Sequence, residues 1–277
     1  MKTKLIGICL LACLATELPA AEPVTETNVW SKTYDVETVP TRLAISNIWG
    51  SVRVRPGADG EITITVNESR TAPDRALFER SLEMIKLDTH ADAAGISITV
   101  GDRNSRWQGT DHCRGCRVDY QFDVVVPKNT IVDVGTVMDG KIDVAGIDGA
   151  ISARNVNGPV RVQQMRSCHQ IESVNGRVTL GFESAPLNDC DIETINGDVT
   201  LAMPAGSGLD VALDTFNGRV TTDFSTDTFA VPAQVDYVET DGKHRYRIQQ
   251  LAGLRLEGGG PIFSISSMNG DVRIHKN

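Results

Sequence analysis

Apolar residues in this chain fall at fixed distances from a recurring turn dipeptide. Asp139-Gly140, Asp148-Gly149, Asn157-Gly158, Asn175-Gly176, Asn196-Gly197, Asn217-Gly218 and Asn269-Gly270 follow one another with glycines 9, 9, 18, 21, 21 and 52 residues apart. Ile48-Trp49-Gly50 is a degenerate early copy. Two residues before each glycine stand Ile48, Met138, Ile147, Val156, Val174, Ile195, Phe216 and Met268. Two residues after it stand Val52, Ile142, Ile151, Val160, Val178, Val199, Val220 and Val272, all β-branched. Apolar alternation leaving a sharp bend belongs to a strand with one buried face. Asn and Asp tolerate the left-handed conformation and glycine takes positive φ freely. Gly50, Gly140, Gly149, Gly158, Gly176, Gly197, Gly218 and Gly270 are therefore read as structural turns. A lone Asn-Gly between two strands makes a hairpin, but recurrence favours stacked coils, each pairing with the next about 4.8 Å away. The expected fold class is mostly β, a β-solenoid or β-helix-like roll, with a run of hairpins as the alternative.

Four copies are closer to one another: IESVNG (171–176), IETING (192–197), LDTFNG (213–218) and ISSMNG (265–270). In register they set Glu172, Glu193 and Asp214 in one column, with Ser173, Thr194, Thr215 and Ser267 beside it. Carboxylates one coil apart repel, so the column is read as a solvated face, with a weak divalent-cation site as the rival. The glycine-dense pattern of calcium-binding rolls is missing.

Around the repeat, strands are expected near 33–36, 43–48, 50–54 and 61–66. Thr71 and Asp74 fit a capping box with Pro73 in the first turn, and Leu77, Phe78, Ser81, Leu82 and Ile85 form a mainly apolar face. One short helix is therefore predicted over 72–83. Residues 85–100 read as a hairpin turning at 92–95, and 118–126 as a strand. The expected organisation is a signal peptide (1–21) and a single β-repeat domain (22–277). That domain divides into an N-terminal part (22–128), regular coils (129–224), an interruption (225–260) and a final coil (261–277).

Composition narrows the setting. The 277 residues carry a net charge of −9, which argues against a nucleic-acid partner, since phosphate contacts need a basic face. Lys2 and Lys4, an apolar run over 5–16 and the small-residue exit Pro19-Ala20-Ala21 read as a secretory signal cleaved after Ala21. Leu10-Leu11-Ala12-Cys13 offers a rival, a lipoprotein signal acylated at Cys13, and only then would the protein sit on a membrane. Export puts the four remaining cysteines, Cys113, Cys116, Cys168 and Cys190, in a disulfide-permissive compartment. Cys113 with Cys116 (a CRGC motif) and Cys168 with Cys190 are the disulfide candidates. A redox dithiol or a metal clip helped by His112 or His169 remain rivals for CRGC. A redox CxxC opens a helix, whereas Arg117 to Tyr120 run into a strand pattern.

The segments VDYQFDVVVPKNTIVDV (118–134), the Asn-Gly coils, LAMPAG (201–206) and GGGPIFSISSMNGDVRI (258–274) resemble the bacterial putative-adhesin family of exported β-strand-repeat proteins, over roughly residues 40–277. The resemblance implies an envelope-located, non-enzymatic β-helix-like domain, similar to domains of envelope-stress systems. It supplies no catalytic residues and does not include CRGC.

The leading expectation is a non-enzymatic protein of the periplasm or cell envelope. It would present a β-repeat surface to an envelope protein or surface component, with no cofactor, metal or nucleic acid. A thiol–disulfide protein using Cys113 and Cys116 is one alternative. A polysaccharide-active β-helix enzyme is another, weakened by few aromatics and by Asp189 and Asp191, which share one strand face and cannot straddle a bond. No HExxH, GxSxG or phosphate loop occurs.

Overall fold

A computed structural model of the protein describes residues 22–36, 40–101, 113–231, 234–240, 243–249 and 252–277. The signal segment 1–21, Cys13 and His112 lie outside the described residues. Strands β1 (Val24–Asp35), β2 (Arg42–Ser46), β3 (Val52–Pro56) and β4 (Glu61–Ala72) precede helix α1 (Arg75–Met84). A hairpin of β5 (Leu87–Asp92) and β6 (Gly95–Val100) follows, then β7 (Arg117–Val126). The regular region holds β8 (Ile131–Thr136), β9 (Ile142–Ala145), β10 (Ile151–Asn157), β11 (Val160–Met165) and β12 (Gln170–Asn175). It continues through β13 (Val178–Phe182), β14 (Cys190–Asn196), β15 (Val199–Met203), β16 (Leu209–Asn217) and β17 (Val220–Thr222). The remainder is β18 (Thr226–Ala230), the antiparallel pair β19 (Gln234–Thr240) and β20 (Lys243–Gln249), β21 (Ala252–Leu256), β22 (Ile262–Asn269) and β23 (Val272–Lys276).

The protein is mostly β with one helix among the described residues, and its strands form two large mixed sheets, neither closed on itself. The first sheet runs β1-β4-β7-β3-β9-β11-β13-β15-β23-β17 and the second β18-β21-β16-β22-β14-β12-β10-β8-β2-β6-β5. From β8 to β17 successive strands alternate between the two sheets, and each pairs in parallel within its own sheet. One coil is therefore a strand of the second sheet, an Asx-Gly corner and a strand of the first. The degenerate copy takes its expected place, with β2 parallel to β8 and β3 parallel to β9.

The final coil does not stack last. Strand β22 lies between β14 and β16, parallel to both, and β23 lies between β15 and β17. The chain leaves a one-coil gap after β15 and fills it with its C-terminal segment.

Burial follows the repeat on one side of the corner only. Val52, Ile142, Ile151, Val160, Val178, Val199 and Val272 are fully buried in a core shared by both sheets, and Val220 on the edge strand β17 is half-buried. Of the residues two before the glycine, only Ile147 is fully buried. It stands apart because Asp148-Gly149 forms the opposite corner of its coil, where both amides donate to the Lys128 carbonyl.

The reason for glycine at the main corner differs from the expected one. Gly50 and Gly158 have positive φ, but Gly140, Gly149, Gly176, Gly197, Gly218 and Gly270 do not, and neither do the asparagines. These glycines are required by close approach. A Cβ on Gly140 would fall within 3.0 Å of the Gly50 carbonyl oxygen, and the same holds for Gly158 on Gly140, Gly176 on Gly158 and Gly197 on Gly176. Gly270 stands against Gly197 and Gly218 against Gly270, so seven glycines form one column in stacking order. Gly149 meets the Thr130 carbonyl instead. The one non-glycine residue with positive φ at this corner among the described residues is Asp139 (φ 52), next to Gly140.

Beside the glycines runs a ladder of side-chain amides. Asn175 donates to Asn157 (2.9 Å), Asn196 to Asn175 (2.8 Å), Asn269 to Asn196 (3.0 Å) and Asn217 to Asn269 (3.0 Å). Asparagine is placed here by its ability to donate and accept along a parallel stack. On the inner side, buried polar groups reach the glycine carbonyls: Thr136 Oγ1 donates to Gly50 (2.9 Å) and Asn155 Nδ2 to Gly140 (2.9 Å).

Antiparallel strands flank the stack, β7-β4-β1 and β6-β5 at one end and β21-β18 at the other. Helix α1 starts three residues later than predicted. Thr71 and Ala72 finish β4, and Asp74 is the N-cap, accepting from the Leu77 amide at 2.8 Å. Phe78 and Ser81 face inward while Leu82 is 47% exposed. Buried Arg70 anchors the helix. Its guanidinium pairs with Glu68 (2.6 Å) and donates to the Ile85 carbonyl (3.0 Å), the Ser81 hydroxyl (3.0 Å) and the Tyr120 hydroxyl (3.2 Å). Burial, and then the Glu68 charge, push the Tyr120 hydroxyl up to about 12.

Two predictions test this account. Gly197→Ala should destabilise the protein by more than about 2 kcal/mol, because the Gly176 backbone of the neighbouring coil must move to admit a methyl group. Gly206→Ala, at φ 78 with nothing near its Cβ position, should cost only about 1 kcal/mol of backbone strain. Urea titration of both variants decides; an order in which Gly206 matters more would show that φ and not contact governs the corners. The second concerns the β21 flank, where Arg255 grips Asp210 of β16 through two hydrogen bonds (2.7 and 2.8 Å) and holds its carboxyl below the usual range. A depressed carboxyl contributes stability above its unfolded pKa of about 4 and loses it as pH falls. Asp210→Asn should therefore lower the urea midpoint at pH 7, and the gap to wild type should narrow as pH falls below about 4.

Candidate functional site

Both cysteine pairs are bonded. Cys113–Cys116 is buried beneath α1 with Ala72 and Phe78, its sulfurs 3.4 and 3.7 Å from the Leu77 carbonyl oxygen, and β7 begins at the next residue. Neither cysteine opens a helix, the position at which a dipole would favour a thiolate. Cys168–Cys190 lies in the main core and ties the segment before β12 to the start of β14, its neighbour in the second sheet. Among the described residues no three His, Cys, Asp or Glu side chains are grouped to hold a metal ion. Alkylation of the denatured protein without reductant should leave Cys113, Cys116, Cys168 and Cys190 unmodified, and prior reduction should expose all four. Labelling of Cys113 or Cys116 before reduction would restore the redox reading.

The acidic column is real but interrupted. Register places Glu172 beside Glu193, Glu193 beside Ser266, and Ser266 beside Asp214, because the inserted final coil contributes a serine between the last two acids. Glu172 is the balanced member, accepting from Gln170 (2.5 Å) and facing Arg154 at 3.7 Å. Arg154 also reaches Asp133 (3.0 Å) on the neighbouring strand. Among the described residues exposed Glu193 makes no ion pair, and its neighbour on one side is Glu172.

Two residues further along each strand, on the same outward side, runs a second row. Val174 is half-buried, but Ile195 is 43%, Met268 53% and Phe216 81% exposed. Val156 continues it at 36% on β10. Seven apolar residues of the repeat, Ile48 and Met138 included, thus avoid full burial. The intervening Ser173, Thr194 and Ser267 turn inward and are buried, and the Thr194 hydroxyl has no hydrogen-bond partner.

The acidic row, the apolar row and these buried hydroxyl residues line one groove of about 570 Å³ across β12, β14, β22 and β16. Its walls differ in chemistry: one accepts positive charge, the other covers apolar groups. Sequence reasoning named the acids and missed the apolar wall. Parity was the available signal, since Glu172 and Val174 are two apart on one strand and must share a face.

Among the described residues the chain is a β protein with one helix, built chiefly on two open, mixed sheets. No family model and no curated protein matches it. Among solved structures it is similar to a putative cell adhesion protein from Clostridium sporogenes ATCC 15579, at 9% identity and a TM-score of 0.46, covering 90% of this chain and 100% of that one. It is also similar to putative adhesins from Bacteroides fragilis NCTC 9343 and Parabacteroides distasonis ATCC 8503, at 10% identity and TM-scores of 0.25 and 0.21. Each of these covers 90% of this chain and 97% of the other. Likenesses this distant carry no argument about what the chain does.

Proposed function

We propose that this is an exported, non-catalytic protein of the cell envelope. Its regular coils form a β-solenoid, and the outer face of that stack binds or scaffolds another envelope component, in the manner the resemblance to the putative-adhesin family implies. The observation that carries the reading is the exposed row Ile195, Met268 and Phe216 beside Glu193. Isolated apolar side chains on a surface need no explanation, but a contiguous row with a charged border is the surface of a contact site. The two disulfides fit an oxidising, extracytoplasmic compartment. A buried Cys113–Cys116 bridge under a helix serves as a staple, which favours binding over the thiol–disulfide alternative.

The test is direct binding of the purified mature protein to isolated envelopes of its own organism. Wild type should bind saturably, and the double variant Phe216→Ser, Met268→Ser should bind at least about tenfold more weakly with an unchanged melting transition, as expected when a central apolar anchor is removed. Absence of saturable binding, or equal binding by the variant, would overturn the reading.

A further inference from the structure

The two rows of the groove are parallel to each other and perpendicular to the strands. They are separated by two residues along each strand, about 6.8 Å, and members of a row recur at each strand, about every 4.8 Å. A polypeptide in extended form, laid along the groove, points alternate side chains to opposite sides. One set would face Glu172, Glu193 and Asp214, and the other would face Ile195, Met268 and Phe216. We propose that the groove takes an extended segment of a partner protein in which basic and apolar residues alternate. The inference rests on the binding reading above and names the chemistry of its partner.

Span and charge fit this occupant. Glu172 and Asp214 lie three strands apart, about 14 Å at strand spacing, and three same-side residues of an extended chain cover about 14 Å. Ser266 sits in the row between Glu193 and Asp214, so three basic residues meet three carboxylates without a fourth. Glu193 is the member with no ion pair among the described residues and gains most from a cation. Phe216 and Met268 supply the opposite wall with an aromatic edge and an adaptable thioether, groups enriched at contact sites. Anionic polymers are repelled by the same three carboxylates and by the net charge of −9.

The experiment uses the whole mature protein and a fluorescein-labelled peptide of alternating lysine and valine, three of each. Two controls are a block peptide (three lysines, then three valines) and an alternating peptide of glutamate and valine. Fluorescence anisotropy should show saturable binding of the alternating basic peptide, weakened by salt, with the block peptide at least about fivefold weaker and the acidic peptide silent. Glu193→Gln should weaken binding about fivefold and flatten its salt dependence, and Phe216→Ser should weaken it about tenfold with the salt dependence kept. Equal binding of block and alternating peptides, or indifference to both substitutions, would overturn the proposal. Should the peptide fail while envelopes still bind through Phe216, the groove is a contact site for a different chemistry. Failure of both measurements removes the binding reading itself.

Discussion

The approach of one glycine backbone to the carbonyl oxygen of the glycine a coil away is the constraint on which the stack depends. Seven glycines meet in this way, from Gly50 to Gly218, and any side chain in the column would hold two coils apart. Parallel strands need a constant spacing near 4.8 Å along their whole length, so a corner that could not close would unzip both sheets beside it. The other features at the corner follow from that closeness. Asparagines one residue before the glycine are brought within amide reach of each other, and inward polar residues such as Thr136 and Asn155 can satisfy glycine carbonyls that would otherwise be buried without a partner. On the outer side the same spacing lines up Glu172 with Glu193 and Ile195 with Met268, so an exposed groove is a consequence of how the corners pack.

The path of the chain matters as much as its local pattern. Because β22 and β23 fill a gap between coils that are consecutive in sequence, Asn196 must find Asn269 across 73 residues. Contacts of that separation form late, since the loop must close before any pairing rewards it. Until they form, β16 has no parallel neighbour, and the groove lacks Ser266, Ser267 and Met268 from its middle. The apolar row is therefore continuous only when the C-terminal segment is seated, which ties completion of the groove to completion of the fold.

Much of this was legible in the residues, and the failures have physical causes. Alternation after each glycine located the buried strands correctly from Val52 to Val272, because a two-residue period with β-branched side chains has one solution in a half-buried sheet. Pairing of Cys113 with Cys116 and Cys168 with Cys190 also matched. The stacking order did not, since in-register copies carry no mark of which coil lies next to which. For that reason the sequence does not show Ser266 standing between Glu193 and Asp214. The cap of α1 was misplaced because Thr71 fits a capping box as well as it fits the end of a strand, and pairing of β4 with β1 and β7 decided for the strand. The turn glycines were assigned positive φ from the behaviour of isolated Asn-Gly hairpins, whereas in a stack the neighbouring coil, absent from any local window, sets the requirement.

Electrostatics separates what the outer face does for stability from what it offers a partner. Where carboxylates serve the fold they are answered within it, as Asp210 is by Arg255 and Asp198 and Asp271 are by Arg273 and Arg219. In each of these pairs the arginine hydrogen bond, alone or with a backbone amide, holds the acid below its usual range. Glu193 has no such answer among the described residues and stands beside Glu172, an arrangement that like-charge repulsion across adjacent strands makes slightly unfavourable. An exposed phenylalanine two residues from Asp214 adds nothing to the core either. Both departures from what stability alone would select occur on one face, within one groove, and both would be relieved by the same event, the arrival of the cationic and apolar chain proposed above.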